Sequence, residues 1–518
     1  MNAHIDDLAD RHFRPDPHGM LADRSSARQA RVLVAISQAA ASTKSGQDAL
    51  WMLTNLLCRQ FKLVTAITFD IPPETGTLAR VAAFGEAPTL EESAMNCVRL
   101  VAGQHVVVDA YSADHPPDAP IEVFIGQPPG EPRAAVRLVL FADGWRIFLG
   151  GRFPEGAISM SDLTPGPYLG ACFAAGEVFK RLRGLKEGKG FLIDGERELF
   201  LSLWSGESAE SWNELSPDPD ISLFALPAFY MAGAGAVAQA AALALAGLPN
   251  VTGHASVADP DVLDLSNDNR YALATLHDDG QPKTPMMEHL LKRRGFEVFP
   301  FARTWQDYVT HRGRDANRAD LDVLERKYLY RLILSCVDDN SARHAIQNLW
   351  PDLIIGGSTY GLTAKAITYD MGDDQLCLKC FNPVVERNKR VRERMAQALA
   401  MKPDEQARFF TELNIDPANA TAYLQNPSCG KLTEKDLDRF AAGEPMMSVG
   451  FVSVAAGVLL AAQLLRLVHS GRSALTAGGA VVTVNFYRPG IRCLRSSPEA
   501  GCDCAQRRLT DWSRLWQT

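Results

Sequence analysis

Short apolar runs alternate along the whole chain with longer stretches in which apolar residues recur at helical spacing. This alternation predicts an α/β fold, in which helices pack on the faces of a sheet. In the first half, the predicted helices are Ala49–Cys58 and Tyr168–Leu185. The predicted strands lie within Ala27–Ser37, Leu63–Phe69, Val106–Asp109, Ala135–Phe141 and Trp145–Leu149.

A second α/β run begins at Ile221, after the polar stretch Ser205–Asp220. Its first glycines precede a predicted helix, Val237–Ala246, and residues 386–412 combine helical spacing with many charges. Such a segment is typical of a solvent-facing insertion. The predicted strands of this half are Phe224–Tyr230, Val251–Ala258, Leu332–Val337 and Leu353–Gly356.

The two halves resemble each other. Leu63–Pro72 is similar to Asn250–Pro260, and Gly170–Leu182 is similar to Gly450–Leu465. We interpret this as a duplicated domain whose first copy has degenerated, although any two α/β domains share such patterns. The predicted division is residues 1–204, a linker at 205–220, and residues 221–518, with 381–445 as an inserted crossover segment.

Two strongly apolar stretches, Met231–Leu248 and Ser448–Val468, approach the length of a membrane span. Each contains a glutamine and many Ala and Gly residues, which favours helices buried against a sheet and no membrane partner. Met1–Arg31 has no apolar core of a secretory signal, so a cytoplasmic location is expected.

Composition and charge narrow the class of protein. The 518 residues are 46% apolar and 22% charged, as in soluble globular proteins, and the length implies several domains. The formal net charge is −8, which argues against a dedicated nucleic-acid-binding protein.

The first chemical motif is a strand–glycine–helix unit. Gly233, Gly235 and Ala238 follow the strand Phe224–Tyr230 and open a helix. Glycines there let backbone amides approach a phosphate at a helix N-terminus. The motif alone indicates a nucleotide fold without choosing between ATP and NAD.

Polar residues at the ends of the next strands favour ATP. Asp259 ends the second strand, where a carboxylate can accept ribose hydroxyls, and Asn267 and Arg270 follow within one short segment. Arg270 and Lys283 can neutralise phosphates, and Asp339, beside Asn340, can hold Mg²⁺. Singly, each could be an ordinary turn or surface residue. In this order behind a glycine loop, they indicate a triphosphate site.

These motifs resemble those of the ubiquitin-activating-enzyme superfamily, which includes the bacterial ThiF and MoeB adenylyltransferases. The family pattern is GxGxxG, DxDxVxxSNxNR, GxxK and DN. The matching positions here are Gly233 and Gly235, Asp259–Arg270 with Asp261, Gly280–Lys283, and Asp339–Asn340 with Arg343. The resemblance covers about residues 221–512 well and the first half weakly. Ala238 replaces the last glycine, and Tyr271 stands where Gln is common.

The resemblance implies two Rossmann-like adenylation-type domains arranged as a pseudo-dimer, with ATP and Mg²⁺ as cofactors. Asp259 would hold the ribose, Asn267, Arg270 and Lys283 the phosphates, and Asp339 the Mg²⁺. Asp261 and Asn340 are expected in the same nucleotide site. The implied reaction is adenylation of the C-terminal glycine carboxylate of a ubiquitin-like protein, which then passes to a conjugating enzyme.

Six of the ten cysteines follow residue 376, and four of these form close pairs. Cys377 and Cys380 form CLKC, while Cys502 and Cys504 form CDC. Four thiolates suit a structural tetrahedral Zn²⁺ site. The superfamily often carries two CxxC pairs, so Cys493 is an alternative ligand to one of the CDC thiols. A redox role for CLKC is the other interpretation. Cys58, Cys172 and Cys336 are expected in the core.

Cys429, in NPSCGK, lies between the first cysteine pair and the last long apolar helix. Proteins that this chain resembles place a reactive cysteine in this crossover segment. Cys429 is therefore the expected nucleophile that receives the acyl group as a thioester, with Arg270 and Asp339 as the other catalytic residues. A loop cysteine, a buried cysteine or a zinc ligand are the alternatives.

The first half has QAAASTKS in place of a glycine loop and lacks the SNxNR and DN motifs. The resemblance makes it an inactive partner fused in cis, which covers the ATP site and lends it an arginine that the sequence does not identify. A homodimer of the whole chain is then optional. Among resembling proteins, the architecture is most similar to activating enzymes of bacterial ubiquitin-like conjugation operons, the Bil-type antiphage systems.

Two other functions remain open from the residues. A sulfur-carrier adenylyltransferase of the thiamin or molybdopterin type makes the acyl-adenylate without conjugation. A nucleotide-binding scaffold or a nicotinamide-binding oxidoreductase would perform no adenylation.

Overall fold

Two sheets, one from each half of the chain, form the framework of the protein. The computed structural model describes residues 2–186, 197–217, 219, 221, 224–316, 331–372, 375–382, 387–425, 432–442, 447–476 and 479–516. The first sheet has the strand order β3-β2-β1-β4-β5-β6-β7-β8. Its strands are β1 Ala30–Ile36, β2 Val64–Asp70, β3 Val107–Ala110, β4 Ile121–Ile125, β5 Val136–Asp143, β6 Arg146–Gly150, β7 Leu199–Ser202 and β8 Glu207–Ala209.

The second sheet has the order β12-β11-β10-β13-β14-β15-β16-β17, with the short β9 paired to β11. Its strands are β9 Phe224–Ala225, β10 Phe229–Ala232, β11 Val251–Ala258, β12 Phe296–Phe301, β13 Leu332–Ser335, β14 Leu353–Tyr360, β15 Thr363–Asp370, β16 Val481–Asn485 and β17 Gly490–Leu494.

The two sheets have the same topology. In each, the first five strands in spatial order pair in parallel and the last three pair antiparallel. β2 and β11, which contain the similar stretches of sequence, take the same position. The α/β class and the two Rossmann-like halves are therefore confirmed.

The helices flank both sheets. They are α1 Asn2–Phe13, α2 Gln38–Ala41, α3 Lys44–Leu57, α4 Leu90–Ala102, α5 Pro165–Arg183, α6 Ala236–Ala246, α7 Lys283–Lys292, α8 Trp305–Ala316, α9 Asn340–Gln347, α10 Leu378–Phe381, α11 Arg387–Leu399, α12 Pro403–Glu412, α13 Pro417–Gln425, α14 Glu434–Ala442, α15 Gly450–Ser470, α16 Ser473–Thr476, α17 Cys504–Arg507 and α18 Ser513–Trp516.

The main core is shared by the two halves. Helix α15 packs against α6 of its own half and α5 of the other half, and α5 packs against α3. Gly457 lets α15 approach α6 closely, because a Cβ there would lie 2.5 Å from the Cβ of Ala240. One continuous apolar cluster therefore runs from the first sheet to the second.

Among the described residues, α15 alone is long and apolar enough to cross a membrane by length and composition. However, 83% of its most apolar 18-residue window is buried inside the molecule. Its apolar character is explained by the contacts with α5, α6 and the second sheet. This agrees with the predicted buried helix.

Two expectations about strands need correction. The run Phe224–Tyr230 is not one strand, because β9 ends at Ala225 and β10 begins at Phe229. The stretch predicted as a linker contains β8, which pairs antiparallel with β7. Pairing with β7 therefore makes a strand of three residues within a polar stretch whose sequence is typical of a loop.

The charged segment after residue 386 forms α11 to α14 over residues 387–425 and 432–442. Apolar residues of these helices form a cluster of their own, which includes Val391, Phe409, Phe410 and Phe440. The helices thus make a small unit with a separate core, located in the chain between the Cys377–Cys380 pair and α15.

Candidate functional site

A cavity of about 470 Å³ opens at the carboxyl ends of β10, β11 and β13. This is the edge where nucleotides bind in doubly wound folds. Most of the residues predicted for the nucleotide line it, namely Gly233, Gly235, Asp259, Asp261, Arg270, Lys283 and Asp339.

The glycine loop leaves a helix N-terminus open to the cavity. Gly233 adopts a φ of +97°, and a Cβ there would lie 3.0 Å from the backbone of Cys336. Gly235 is the N-cap of α6 and offers no side chain to the first amides of the helix. Those amides, with the positive end of the helix dipole, can bind a phosphate.

Asp259 links the glycine loop to the end of β11. Its carboxylate accepts hydrogen bonds from the Ala234 amide at 2.6 Å and the Asp261 amide at 2.9 Å. Burial raises the pKa of Asp259 above its usual value, while these amides oppose the rise. The carboxylate is held at the cavity wall, where a ribose hydroxyl could replace one of the amides.

Arg270 is positioned by the motif that precedes it. Its guanidinium donates to the Oδ1 of Asn267 at 3.1 Å and to the Oδ1 of Asn269 at 3.0 Å. Asn267 in turn donates to the Asp264 carbonyl at 2.7 Å. Asn267 does not line the cavity, so its observed contacts orient the arginine.

Lys283 and Tyr271 complete the same wall. The Lys283 ammonium lies 2.8 Å from the Asp261 carboxylate, and both Lys283 and Arg270 lie over the Tyr271 ring, at 5.4 and 5.0 Å from its centroid. Burial lowers the pKa of Lys283, but Tyr271 and Asp261 outweigh it and raise the net value. The tyrosine that departs from the family pattern thus supports two cations.

Two adjacent carboxylates, Asp338 and Asp339, line the opposite side. One oxygen of Asp339 caps α9 by accepting from the Ala342 amide at 2.7 Å, which leaves the second oxygen for a cation. Asn340 does not line the cavity and accepts from Arg343 at 2.7 Å. Asp338 was not predicted, although it stands beside the recognised motif.

A third cation, Arg11, comes from the N-terminal helix of the first half and lines the same cavity. Its carbonyl accepts from the Ser448 amide at 3.3 Å, which joins α1 to the start of α15. Its Nε is buried without a hydrogen-bond partner. Burial, then Arg270, lowers the pKa of Arg11 to about 10, so it stays charged at neutral pH. No motif in the sequence marks this residue.

The first half has a closed site at the matching position. Ser37 follows β1 where Gly233 follows β10, and its hydroxyl accepts from the Ala40 amide at 3.2 Å. Asp70, at the end of β2, accepts from Arg133 at 2.6 Å. In the first half, a serine side chain thus caps the helix start that glycine leaves uncapped in the second half, and an arginine pairs with the aspartate at the end of the neighbouring strand.

The four paired cysteines form one cluster. All their sulfur atoms lie within 4.8 Å of one another. The Sγ–Sγ distances are 3.5 Å for Cys377–Cys380, 3.8 Å for Cys377–Cys502 and 3.6 Å for Cys380–Cys504. A tetrahedral site with metal–sulfur bonds of about 2.3 Å has sulfur–sulfur edges of about 3.8 Å. The group could therefore hold a metal ion.

The other cysteines take different positions. Cys493 lies in β17 outside this cluster. Cys58 and Cys172 are buried as expected. Cys336 instead lines the cavity that contains the residues predicted for the nucleotide, which we call the nucleotide cavity. Burial raises the pKa of Cys336 to about 12, so its thiol stays protonated at neutral pH. The predicted nucleophile Cys429 lies outside the described residues.

Residues 228–504 match the ThiF family. The chain belongs to the ThiF family. The matched segment contains every recognised nucleotide motif and all four clustered cysteines, whereas Arg11 lies outside it. Membership in this family, which falls within the superfamily that also includes MoeB, supports ATP-dependent adenylation of a substrate carboxylate.

One relative spans nearly the whole chain. The uncharacterized protein y4jF of Sinorhizobium fredii strain NGR234 is 24% identical over 489 residues, which cover 88% of this chain and 85% of that protein.

Solved structures of Escherichia coli MccB are also similar in part. The structure with MccA-N7isoASN is 14% identical, with a TM-score of 0.35, over 53% of this chain and 66% of that chain. The structure with ATP is 14% identical, with a TM-score of 0.33, over 54% and 66%. The chain thus spans just under two thirds of their length.

Proposed function

We propose that this protein activates the C-terminal carboxylate of a ubiquitin-like protein with ATP, receives it as a thioester on Cys429 and passes it to a conjugating enzyme. The observation that carries the adenylation step is the convergence of Arg11, Arg270 and Lys283 on one cavity that also contains the open N-terminus of α6. These groups form an anion site large enough for the phosphates of a nucleotide.

In the first step, a carboxylate oxygen of the substrate attacks the α-phosphorus of ATP. The bond from that phosphorus to the β-phosphate oxygen breaks, and its electron pair leaves with pyrophosphate. Negative charge grows on the phosphate oxygens, so cations held in place beforehand lower the barrier. Asp339, with Asp338 beside it, would hold the Mg²⁺ that supplies further positive charge to the leaving pyrophosphate.

The residues divide this work by position. Arg270 is held by the asparagines of its motif, and Lys283 by Asp261, so both present charge without a large reorganisation. Arg11 has an unpartnered Nε that a phosphate oxygen can accept from. Asp259 stands beside the loop, where a ribose hydroxyl can bond to it.

In the second step, the Cys429 sulfur attacks the acyl carbon, the bond to AMP breaks and the thiol proton passes to solvent. Support comes from the position of Cys429 in the chain, within the segment carried by α11 to α14. That unit has its own apolar core, separate from the core of the adenylation domains. Cys336 lines the cavity but its raised pKa makes it a poor nucleophile.

We assign Zn²⁺ to the four-cysteine cluster in a structural role. Four sulfur ligands with edges near the tetrahedral value suit Zn²⁺, and the cluster lies outside the nucleotide cavity.

The adenylation step is tested by ATP–pyrophosphate exchange with the purified chain and a small candidate partner ending in glycine. Exchange should depend on the partner and fall by at least a hundredfold in Asp339→Ala. A protein that binds ATP but shows no exchange with any such partner would be a nucleotide-binding scaffold, and the proposal would be wrong.

The thioester step is tested on a non-reducing gel after incubation with ATP and the partner. A thiol-sensitive adduct should form, disappear in Cys429→Ala and persist in the matched variant Cys493→Ala. Exchange without any such adduct would indicate the sulfur-carrier type of adenylyltransferase instead.

The proposed pathway has a genomic test. A Bil-type antiphage operon would place genes for a ubiquitin-like protein, a conjugating enzyme and a metalloprotease beside this one. Their absence would contradict the antiphage assignment and leave the adenylation proposal to the exchange assay.

A further inference from the structure

A second cavity, of about 610 Å³, lies between the two halves and next to the nucleotide cavity. Two stretches of chain contribute to both. In one stretch, Arg270 and Tyr271 line the nucleotide cavity, and Leu273 and Thr275 line the second cavity. In the other stretch, Lys283 lines the nucleotide cavity, and Gln281 and Pro282 line the second. The second cavity has no part in the adenylation chemistry described above.

One face of α7 forms a long wall of this cavity. The lining residues recur at the spacing that places them on a single helix face. They are Pro285, Met286, His289 and Leu290 of α7, with Arg293 directly after the helix. The facing wall comes from the first half, through Ala83, Phe84 and Leu100. The cavity therefore exists only because the two halves are packed together.

The polar lining includes two arginines and two histidines. Arg293 and Arg294 line the cavity together with His277 and His289. Arg293 is exposed and forms no salt bridge within the part of the chain that the structure describes. One carboxylate, Asp278, also lines the cavity, and its Oδ2 accepts from the Thr275 amide at 2.8 Å and from the Thr275 hydroxyl at 2.7 Å.

The remaining lining is apolar. Phe84, Leu100, Leu273, Met286 and Leu290 contribute it, and Phe84 is held edge-on against the buried Trp51. Cavities of about 300–1,000 Å³ with an apolar lining and a few charged groups are typical of small-molecule sites.

We propose that this cavity binds a small amphipathic anion, with a carboxylate or phosphate facing Arg293 and an apolar body against Leu100, Leu273 and Met286. The two arginines in the lining outnumber the one carboxylate, and this excess of positive charge favours an anion. The apolar floor, shared by both halves, favours a ligand with a hydrophobic body rather than a free inorganic ion.

Residues 281–283 connect this cavity to the nucleotide cavity, so ligand binding in one can affect the other. The Leu263 amide donates to the Gln281 carbonyl at 2.7 Å, and the Lys283 amide donates to the Asp261 carbonyl at 3.2 Å. A ligand that shifts Gln281 and Pro282 therefore shifts the Lys283–Asp261 pair. By linkage, ATP and the anion change each other's affinity by the same factor.

Binding is tested with the full chain and the fluorescent amphipathic anion anilinonaphthalene sulfonate, which requires no enzymatic activity. We expect a saturable rise in fluorescence. Arg293→Glu and the cavity-filling Met286→Trp should each weaken the affinity at least tenfold, and Arg492→Glu, an exposed arginine in β17, should leave it unchanged. Circular dichroism and thermal unfolding show whether each variant is folded.

Competition distinguishes the ligand chemistry. Octanoate and octyl phosphate should displace the probe, and whichever is stronger identifies the head group, whereas octanol should not displace it. Equal displacement by octanol would mean that no anion is recognised, which overturns the proposal. Equal binding by wild type, Arg293→Glu and Met286→Trp would also overturn it.

Saturating ATP separates this cavity from the nucleotide site. Probe affinity should change by a limited factor that levels off as ATP increases. An apparent dissociation constant that rises without limit in proportion to ATP would place the probe in the nucleotide cavity, and the proposal would be wrong. Failure of the adenylation proposal would appear in the exchange assay and leave these binding results unaffected.

Discussion

Arg11 illustrates how a single side chain from one half completes a cavity in the other. It is the cavity's third cation and lies outside the segment that matches the ThiF family. Arg11 is largely buried and lies near the positive charge of Arg270. Its own charge therefore costs folding free energy unless an anion binds beside it.

Arg11→Ala should therefore lower kcat/KM for ATP in pyrophosphate exchange by about ten- to a hundredfold, since one charge-assisted contact to phosphate is lost. Arg14→Ala is the matched control, because Arg14 pairs with Asp10 at 2.9 Å and does not line the nucleotide cavity. An equal loss in both variants would point to disruption of α1 rather than loss of a phosphate contact.

Asp268, in the middle of the SNxNR motif, predicts a pH effect on stability. It is 3% exposed, one of its carboxylate oxygens has no hydrogen-bond partner, and burial raises its pKa to about 7. The unfolded chain loses this proton near pH 4. The folded protein therefore binds more protons between about pH 4 and pH 7, and stability falls as the pH rises through that window.

Asp268→Asn should remove this fall and stabilise the protein above pH 7 by on the order of 2 kcal/mol. Urea unfolding of wild type and variant at about pH 5 and about pH 8 measures it. Asp114→Asn, at an exposed site, is the control. A stability difference between wild type and Asp268→Asn that does not change with pH would contradict the assignment.

At the scale of elements, α3 of the first half and Arg59, two residues after its end, restrain the loop that carries Arg270. Arg59, 1% exposed, donates to the carbonyls of Asp268 and Ala274, both at 2.6 Å, and to Asn55 at 2.7 Å. Asn55 donates to the Ala272 carbonyl at 2.8 Å. The first half of the chain thus restrains the loop at the end of the SNxNR motif and just after it.

Arg59→Met should destabilise the protein by about 2 to 4 kcal/mol, because buried carbonyls lose their donor. Arg59→Lys should restore little, since an ammonium lacks the planar fork that reaches separate acceptors. Urea unfolding measures the stability, and the exchange assay should show a higher KM for ATP. An unchanged KM would mean that the loop keeps its position without this contact.

The cysteine cluster joins α10 to α17 across the end of the second sheet. Its sulfur atoms meet although the two pairs are far apart in the chain, so a bound metal would link the C-terminal helices to the sheet.

Elemental analysis by mass spectrometry should find about one Zn²⁺ per chain. Cys377→Ser should lower both the metal content and the thermal midpoint, since metal binding is coupled to folding. Cys493→Ser, at a cysteine outside the cluster, should retain the metal. Loss of metal from Cys493→Ser would show that Cys493 is the ligand in place of one of the CDC thiols.

At the scale of the whole molecule, the two halves are held together by one apolar core. Gly176 of α5 lies against the second half, where an added Cβ would come 3.0 Å from Phe486 and 3.3 Å from Phe451. A side chain at this position would therefore have to displace the two phenylalanine rings.

Gly176→Val should destabilise the protein by about 1 to 3 kcal/mol through overpacking, as measured by thermal or urea unfolding. Gly130→Val is the matched control, because a Cβ at Gly130 meets nothing within 4 Å. Equal stability of the two variants would mean that the halves adjust without cost.

The nucleotide motifs were predictable because each is a local device. A glycine that needs a positive φ, an asparagine that orients an arginine three residues later, and an aspartate that caps the next helix all act within a few residues. Most strand positions were also predictable, because a buried strand is itself an apolar run in the sequence. β8 was missed because pairing with β7, rather than its own polar sequence, makes it a strand.

The sequence by itself determined the fold class, the nucleotide motifs and the paired cysteines, because all of these are recorded as spacing along the chain. Only the tertiary structure decided that Arg11 reaches the second half's cavity, that Asn267 orients an arginine instead of lining that cavity, and that Arg59 holds the loop beside it. These depend on contacts between residues up to hundreds of positions apart, and such contacts arise only when the core that joins the two halves is packed.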